Sequence, residues 1–264
     1  MSGAVDISLG QLALASLLLG VALGASIALK LGLTRGLAVA ATRMVAQLFL
    51  VGLVLEWVFS SENALLIVSL AVGMAVLAGH AAVRRTSRRY PQIWADALVS
   101  VLGASFVVTG AAVLGILQIE PWYDPQYLIP LHGMLLGNAL TGISLSLDRF
   151  MEGAGRERGL VEARLALGAP RWEAARPLFR DAVRTGLVPI TNSMAVMGVV
   201  SLPGMMTGQI LAGAPPAEAV RYQILIVFMI AACVALAALG VVGLAYRRLF
   251  TADHRFHPDR LRAA

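Results

Sequence analysis

The feature that most constrains this chain is a series of seven apolar runs. Each has roughly the 20 residues that an α-helix needs to cross about 30 Å of hydrocarbon. The runs are Ile7–Leu29, Leu37–Phe59, Ala64–Val83, Ala95–Leu117, Leu128–Leu147, Leu187–Ile210 and Tyr222–Tyr246. Within a bilayer no water satisfies backbone N–H and C=O groups, so each run is expected to be helical. The expected fold is all-α: a polytopic membrane protein with about seven transmembrane helices, in a single domain over residues 1–264. With 58% hydrophobic and 14% charged residues, the connections are too short to hold a large soluble domain. Asp6, not a basic stretch, precedes the first run, so no cleaved signal peptide is expected.

The charges orient the spans. All but two of the 21 basic residues fall in one set of connections. They are Lys30 and Arg35; Arg84, Arg85, Arg88 and Arg89; the arginines between Asp148 and Arg184; and Arg247, Arg248, Arg255, Arg260 and Arg262. Arg43 lies inside the second run, and Arg221 lies on the other side with Asp6, Glu62, Glu120, Asp124 and Glu218. The positive-inside rule then places the N-terminus outside and the C-terminus in the cytoplasm of a plasma (inner) membrane, with lipid as the surrounding partner. This topology accounts for the net charge of +6, and no nucleic-acid partner is expected. Trp57, Trp122 and Tyr123 fall near the expected interfaces, as aromatic belts do.

Several activities lack their parts. The one lysine, Lys30, follows leucine, so the chain has no GxxxxGK[ST] phosphate loop and hydrolyses no ATP by that route. Lys30 also stands at a span end, away from where a retinal Schiff base would form. Cys233 has no partner for an intramolecular disulfide, and CxxC, HExxH and GxSxG motifs are absent. Neither an enzyme nor a cofactor bound by this chain is expected.

The connection from Asp148 to Arg184 is the longest and most basic. Glu152–Leu167 reads as an amphipathic helix with Leu160, Ala163 and Leu167 on one face. Gly168-Ala169-Pro170 ends it, and a second helix follows with Trp172, Ala175, Phe179 and Val183 as its stripe and a kink at Pro177. Such an arm fits two roles: interfacial helices held by arginine to anionic lipid, or a cytoplasmic docking element. Small-xxx-small pairs at Gly20/Gly24, Gly133/Gly137 and Gly204/Gly208 are expected to let helices approach.

The segment Glu162-Ala163-Arg164-Leu165-Ala166-Leu167-Gly168 resembles the EAA loop of ABC-transporter permeases, although Leu178-Phe179-Arg180-Asp181 stands where the later I-x-L-P is usual. GMLLGNALTGISLSLD (Gly133–Asp148), ALGAPRWEA (Ala166–Ala174), TNSMAVMGVVSLPGM (Thr191–Met205) and SLPGMMTGQILAGAPPAEAVRYQI (Ser201–Ile224) resemble the FetB/YbbM family of iron-export ABC permeases. The likeness covers essentially the whole chain. It implies a permease that pairs with a separate cytoplasmic ATPase, which holds ATP and Mg²⁺, and that exports iron or another metal ion. It also implies a coupling role for Glu162, Ala163 and Gly168 in the arm, residues 148–184. Related plant proteins are tied to aluminium tolerance and nucleotide-sugar transport, so the substrate does not follow from the likeness alone.

Polar groups inside spans are costly and face a pathway or another helix. Gln47, Asn138, Thr141, Ser144 and Asn192 are the candidates for a substrate pathway. Pro203 and Gly204, in Ser201-Leu202-Pro203-Gly204, are expected to interrupt the sixth span, because proline removes a helical donor. Glu56, His132, Met205 and Met206 lie at the same outer level and offer carboxylate, imidazole and thioether ligands for a metal ion. The reading that follows is a homodimeric ABC permease working with two copies of its ATPase. An ion-gradient-driven secondary transporter also fits, but the odd span count and missing inverted repeat count against it. A non-transporting receptor or scaffold would leave the broken, polar helices idle.

Overall fold

The computed structural model describes residues 7–61 and 63–263, and nearly all of them are helical. Asp6 and Glu62, two of the acidic residues used for orientation, lie outside the described residues. Six helices among those described are long and apolar enough to cross a membrane. Two compact units result. One holds the N-terminal hairpin with Gly208–Pro215; the other holds Asn63–Thr207 and the chain from Pro216 onward.

The first unit is simple. Helix α1 (Leu9–Ala28) opens on a capping box: the Gln11 N–H donates to Ser8 Oγ at 3.2 Å, and the Ser8 N–H donates to Gln11 Oε1 at 2.8 Å. The chain turns through Lys30 and Gly32, both at positive φ, into α2 (Thr34–Phe59). The Thr34 hydroxyl donates to Ser26 Oγ at 3.0 Å across the turn. Ser26 and Val58 are the buried residues of the two helices.

The second unit is a packed bundle of α3 (Ala64–Arg84), α4 (Ile93–Gly110), α5 (Pro125–Arg156), α6 (Arg158–Ala166), α7 (Arg171–Val196) and α9 (Pro216–Leu249). Helix α8 (Gly204–Leu211) begins in this unit, and its residues from Gly208 are counted with the other. Helix α4 widens into a π-helical turn over Ala111–Ile116, closed by the Leu117 N–H on the Ala112 carbonyl at 2.7 Å. Asp124 caps α5 through the Gln126 N–H, and Pro125 takes the first helical position, where no donor is needed. The core is set by helical spacing. Leu135, Ala139, Ile143, Leu147 and Phe150 form the buried stripe of α5, and Cys233, Ala237, Val241 and Ala245 that of α9.

Charged groups close one end of this bundle. The Ser87 N–H and hydroxyl both donate to Asp148 Oδ1 at 2.7 Å. Strand β1 (Arg88–Arg89) pairs antiparallel with β2 (Arg262–Ala263), which ties the tail to the α3–α4 connection. Arg248 grips the buried Asp96 carboxylate at 3.0 and 3.2 Å, and the Arg171 N–H donates to His254 Nδ1 at 2.9 Å. The Tyr90 hydroxyl is buried beside this pair without a hydrogen bond of good geometry. Burial first, and the Asp96 charge second, hold its pKa far above the usual phenol value. The basic connections at 84–89, the arm and the tail thus meet at one end, as the charge pattern requires of a shared side.

Four expectations change. The sixth run, Leu187–Ile210, is not one helix: α7 ends at Val196, Met197–Pro203 is non-helical, and α8 begins at Gly204. The break therefore opens earlier than Pro203, where Gly198 adopts φ +85°. The arm is helical as expected but not separate from the spans, because α5 runs through Asp148 to Arg156 and α7 runs from Arg171 through Pro177 and Pro189 without interruption. The helix expected over Glu152–Leu167 is divided at Glu157 between the end of α5 and α6. Of the small-residue pairs, only Gly133 approaches a neighbour, 3.2 Å from an ideal Cβ to Met74 Cε; nothing lies within 4 Å at Gly20, Gly24, Gly137, Gly204 or Gly208.

Candidate functional site

Helix α7 links the two features most suited to function, an exposed apolar helix face at one end and a broken backbone at the other. At the first end, α6 is held down by Val161, which is buried, and by Leu165 against the core. Its other face looks outward: Leu160, Ala163 and Leu167 are all exposed, Leu167 by 89%. Glu162 stands beside them, exposed, and accepts from Arg158 Nε at 2.8 Å. Gly168 ends the turn at φ +90°, a conformation that side chains resist, so this glycine sets the angle between α6 and α7. Asp181 on α7 takes the Arg149 guanidinium of α5 at 2.5 and 2.6 Å, joining the two long helices just inside the arm. Along the exposed side of α7 runs a groove of about 780 Å³ with Trp172, Arg176, Arg180 and Arg184 at its basic end and Leu187 and Thr191 at the other.

Between the two ends, α5 and α7 come into backbone contact. An ideal Cβ on Gly186 would sit 2.7 Å from the Gly142 carbonyl oxygen and would collide with Ser146 Oγ. One on Gly142 would sit 2.7 Å from Val234 Cγ1 of α9. Neither position tolerates a side chain. This contact does what the small-residue pairs were expected to do, with glycines on facing helices rather than four apart on one.

The pathway candidates divide. On α5, Ser144 is buried, Thr141 half-buried and Asn138 exposed; the Asn138 amide donates back to the Met134 carbonyl at 2.9 Å and Thr141 to that of Gly137 at 3.4 Å. Asn192 is exposed on the last turns of α7. Gln47 and Glu56 are exposed on α2, in the other unit. His132 is fully buried in α5, with Thr109 Oγ1 at 3.0 Å from Nδ1 and the Phe106 ring edge-on at 4.8 Å. Its Nε2 makes no hydrogen bond of good geometry, although the Ala71 backbone is near enough to interact with the ring. Met205 packs on the core, while Met206 lines a cavity of about 540 Å³ at the helix break. His132 is not part of that lining. Among the described residues no group of three or more His, Cys, Asp or Glu could hold a metal ion.

The cavity brings in residues that sequence reasoning passed over. With Met206 and Pro203 it is lined by Met194 from the last turn of α7, Met197 just beyond it and Gln223 from α9. Gln223 is 8% exposed, and its Oε1 has no hydrogen-bond partner. The signal was present: Gln223 is an uncharged polar residue near the start of the seventh apolar run, and Met194 and Met197 stand three apart immediately before the break.

Comparison with known proteins agrees with the motif likeness. The chain is 38% identical over 232 residues to a UPF0014 membrane protein of Synechocystis, covering 86% of this chain and 90% of the relative. It is 30% identical over 252 residues to the probable iron export permease protein FetB of Escherichia coli, covering 96% of each. It is 32% identical over 210 residues to protein ALUMINUM SENSITIVE 3 of Arabidopsis thaliana, covering 80% of this chain and 76% of that one. No solved structure matches it. The family model described as uncharacterised protein family UPF0014 matches residues 9–250, from the first helix to the end of the bundle, and the chain belongs to that family.

Proposed function

We propose that this chain is the permease subunit of an ABC exporter, moving iron or another metal ion outward with ATP hydrolysed by a separate cytoplasmic subunit. The observation that carries this reading is the outward face of α6. A short helix that buries Val161 and leaves Leu160, Ala163 and Leu167 uncovered is a preformed apolar surface rimmed by charge. It stands at the arginine-rich end, the cytoplasmic one by the positive-inside rule. An ATPase cleft is the partner that such a surface fits. The likeness to FetB over 96% of both chains supports the permease assignment and the metal ion.

A second copy of the chain completes the reading. Past Ile190, α7 exposes Asn192 and Ser193 at a level expected inside the bilayer, where exposed amides and hydroxyls are costly against lipid. A homodimer would cover them and place Asn192 at a shared pathway. The test uses inside-out vesicles holding the chain and its ATPase. ATP-dependent uptake of Fe(II) is expected, with loss of uptake in Leu160→Asp/Leu167→Asp while the permease inserts normally. Uptake driven by an imposed proton gradient without ATP would instead establish the secondary-transporter reading, and an unaffected double variant would remove the docking face.

A further inference from the structure

We infer that the cavity at the α7 break is a binding site for a soft monovalent cation, Cu(I) or its analogue Ag(I), held by the thioethers of Met194, Met197 and Met206. The site goes beyond the export reading and stands on its own geometry, whichever ion is exported.

Four observations converge. First, the break places three methionines around one cavity of about 540 Å³: Met194 on the last turn of α7, Met197 just past its end and Met206 on α8. Thioethers are neutral and polarizable, and they select soft ions over hard ones. Second, Gln223 brings a nine-tenths buried side chain to the same lining, with an amide oxygen that accepts from no donor. A buried acceptor in that state calls for a cation or a donor. Third, α7 points its C-terminal end at the break. The backbone N–H groups of residues 198–201 go to Ser201 and Val196, so none of them continues the helical ladder onto the carbonyls of Met194 or Ala195. Free carbonyls at a helix C-terminus carry partial negative charge and favour a cation. Fourth, the break lies at depth. Val196 is twelve residues beyond Arg184, the last charge on α7, which is about 18 Å along the helix axis in a layer about 30 Å thick.

The same features argue against other occupants. No lysine, arginine or histidine lines the cavity, so an anion has nothing to pair with and would face the carbonyl end of α7. No carboxylate lines it either, so a hard divalent ion, which takes several oxygen ligands, is poorly served. A purely apolar molecule would leave the Gln223 oxygen unpaired. A single soft positive charge meets both the sulfur set and the uncovered oxygens.

The test is direct binding to the purified full chain in detergent, so its outcome is independent of the ATPase and of export. In a Cys233→Ser background, which removes the only thiol, Ag(I) is titrated, and Cu(I) is titrated under reductant against a chromogenic chelator. One equivalent per chain is expected, with sulfur scatterers in the Cu(I) X-ray absorption spectrum and no displacement by Fe(II). The triple variant Met194→Leu/Met197→Leu/Met206→Leu should weaken binding by more than about 100-fold, beyond the cost of changes outside a ligand set. Leucine is close to methionine in volume, so the bundle should persist. If the triple variant does not elute as the parent does, Met206→Leu alone carries the test, with weakening of at least about 10-fold. Met44→Leu, exposed on α2, should leave binding unchanged. Absence of stoichiometric binding in the parent, equal binding in parent and methionine variants, or equal weakening by Met44→Leu would overturn the inference.

Discussion

Helices α1 and α2 carry apolar side chains on every face and bury only Ser26 and Val58. Helix α5 is the least apolar of the six long spans, yet it is the most buried of them. The contrast shows what hydropathy measures in a membrane chain. Lipid tails are as apolar as leucine, so greasiness makes a helix insert but does not make it pack. Packing comes from small residues that admit a neighbour's backbone and from polar groups that need partners. The bundle has both, in Gly142, Gly186, Ser146 and the Asp96–Arg248 pair. The hairpin is left with a largely uncovered apolar surface.

Four substitutions test that contrast, beginning with the largest effect. Gly186→Leu forces a side chain into Ser146 and the α5 backbone, so it should cost about 3 kcal/mol or prevent folding. Thermal unfolding in detergent measures it, and an unchanged midpoint would mean that the contact is loose. Asp96→Ala comes next. The carboxylate is 4% exposed and accepts two bonds from Arg248, but Arg248 is 42% exposed and stays hydrated when left alone. The loss should therefore be about 2 kcal/mol, below the 3–5 of a fully buried pair. A double-mutant cycle with Arg248→Ala isolates the coupling. Asp148→Ala removes the acceptor of two Ser87 bonds at an accessible site, costs about 1 kcal/mol, and should speed hydrogen exchange at the Ser87 amide. Gly24→Leu on α1 has open space around it and should stay within about 0.5 kcal/mol of the parent. A large loss there would show that α1 is packed in the assembled protein, and the contrast would then belong to the isolated chain alone.

The positions of most helices could be read from the sequence, because apolar length and backbone satisfaction are local requirements. The runs beginning at Ile7, Leu37, Ala64, Ala95, Leu128 and Tyr222 all correspond to long helices. The arm was legible in character, with Leu160, Ala163 and Leu167 on one face, but not in extent. Nothing local shows that α5 and α7 carry their helices straight into it. The break was legible as an event at Pro203 but was misplaced, because Gly198 takes up left-handed backbone that its neighbours in sequence do not demand. The packing glycines were hidden for a related reason: Gly142 and Gly186 are 44 residues apart, and only the tertiary pairing of their helices makes them neighbours. The cavity ligands fell between the two cases. Met206 was singled out, while Met194, Met197 and Gln223 needed the break to be located before they could be grouped.

The contact at Gly186 has a mechanical consequence. Helix α7 is 26 residues long, about 39 Å, and at Gly186 its backbone comes into contact with that of α5. That point lies about 22 Å from the arm end and about 15 Å from the end at Val196. It is a fulcrum, and α7 is the beam it carries. Only Ser146 lies against Gly186 at this point, so tilting α7 about it would strain chiefly the Arg149–Asp181 pair on the arm side. A sideways push on the arm end reaches Val196 reversed in direction and scaled to about two thirds, by the ratio of those two arms. There the helix has already ended, so the stroke falls on residues 197–203, where the Val199, Val200 and Ser201 N–H groups all converge on the Val196 carbonyl in place of a regular ladder.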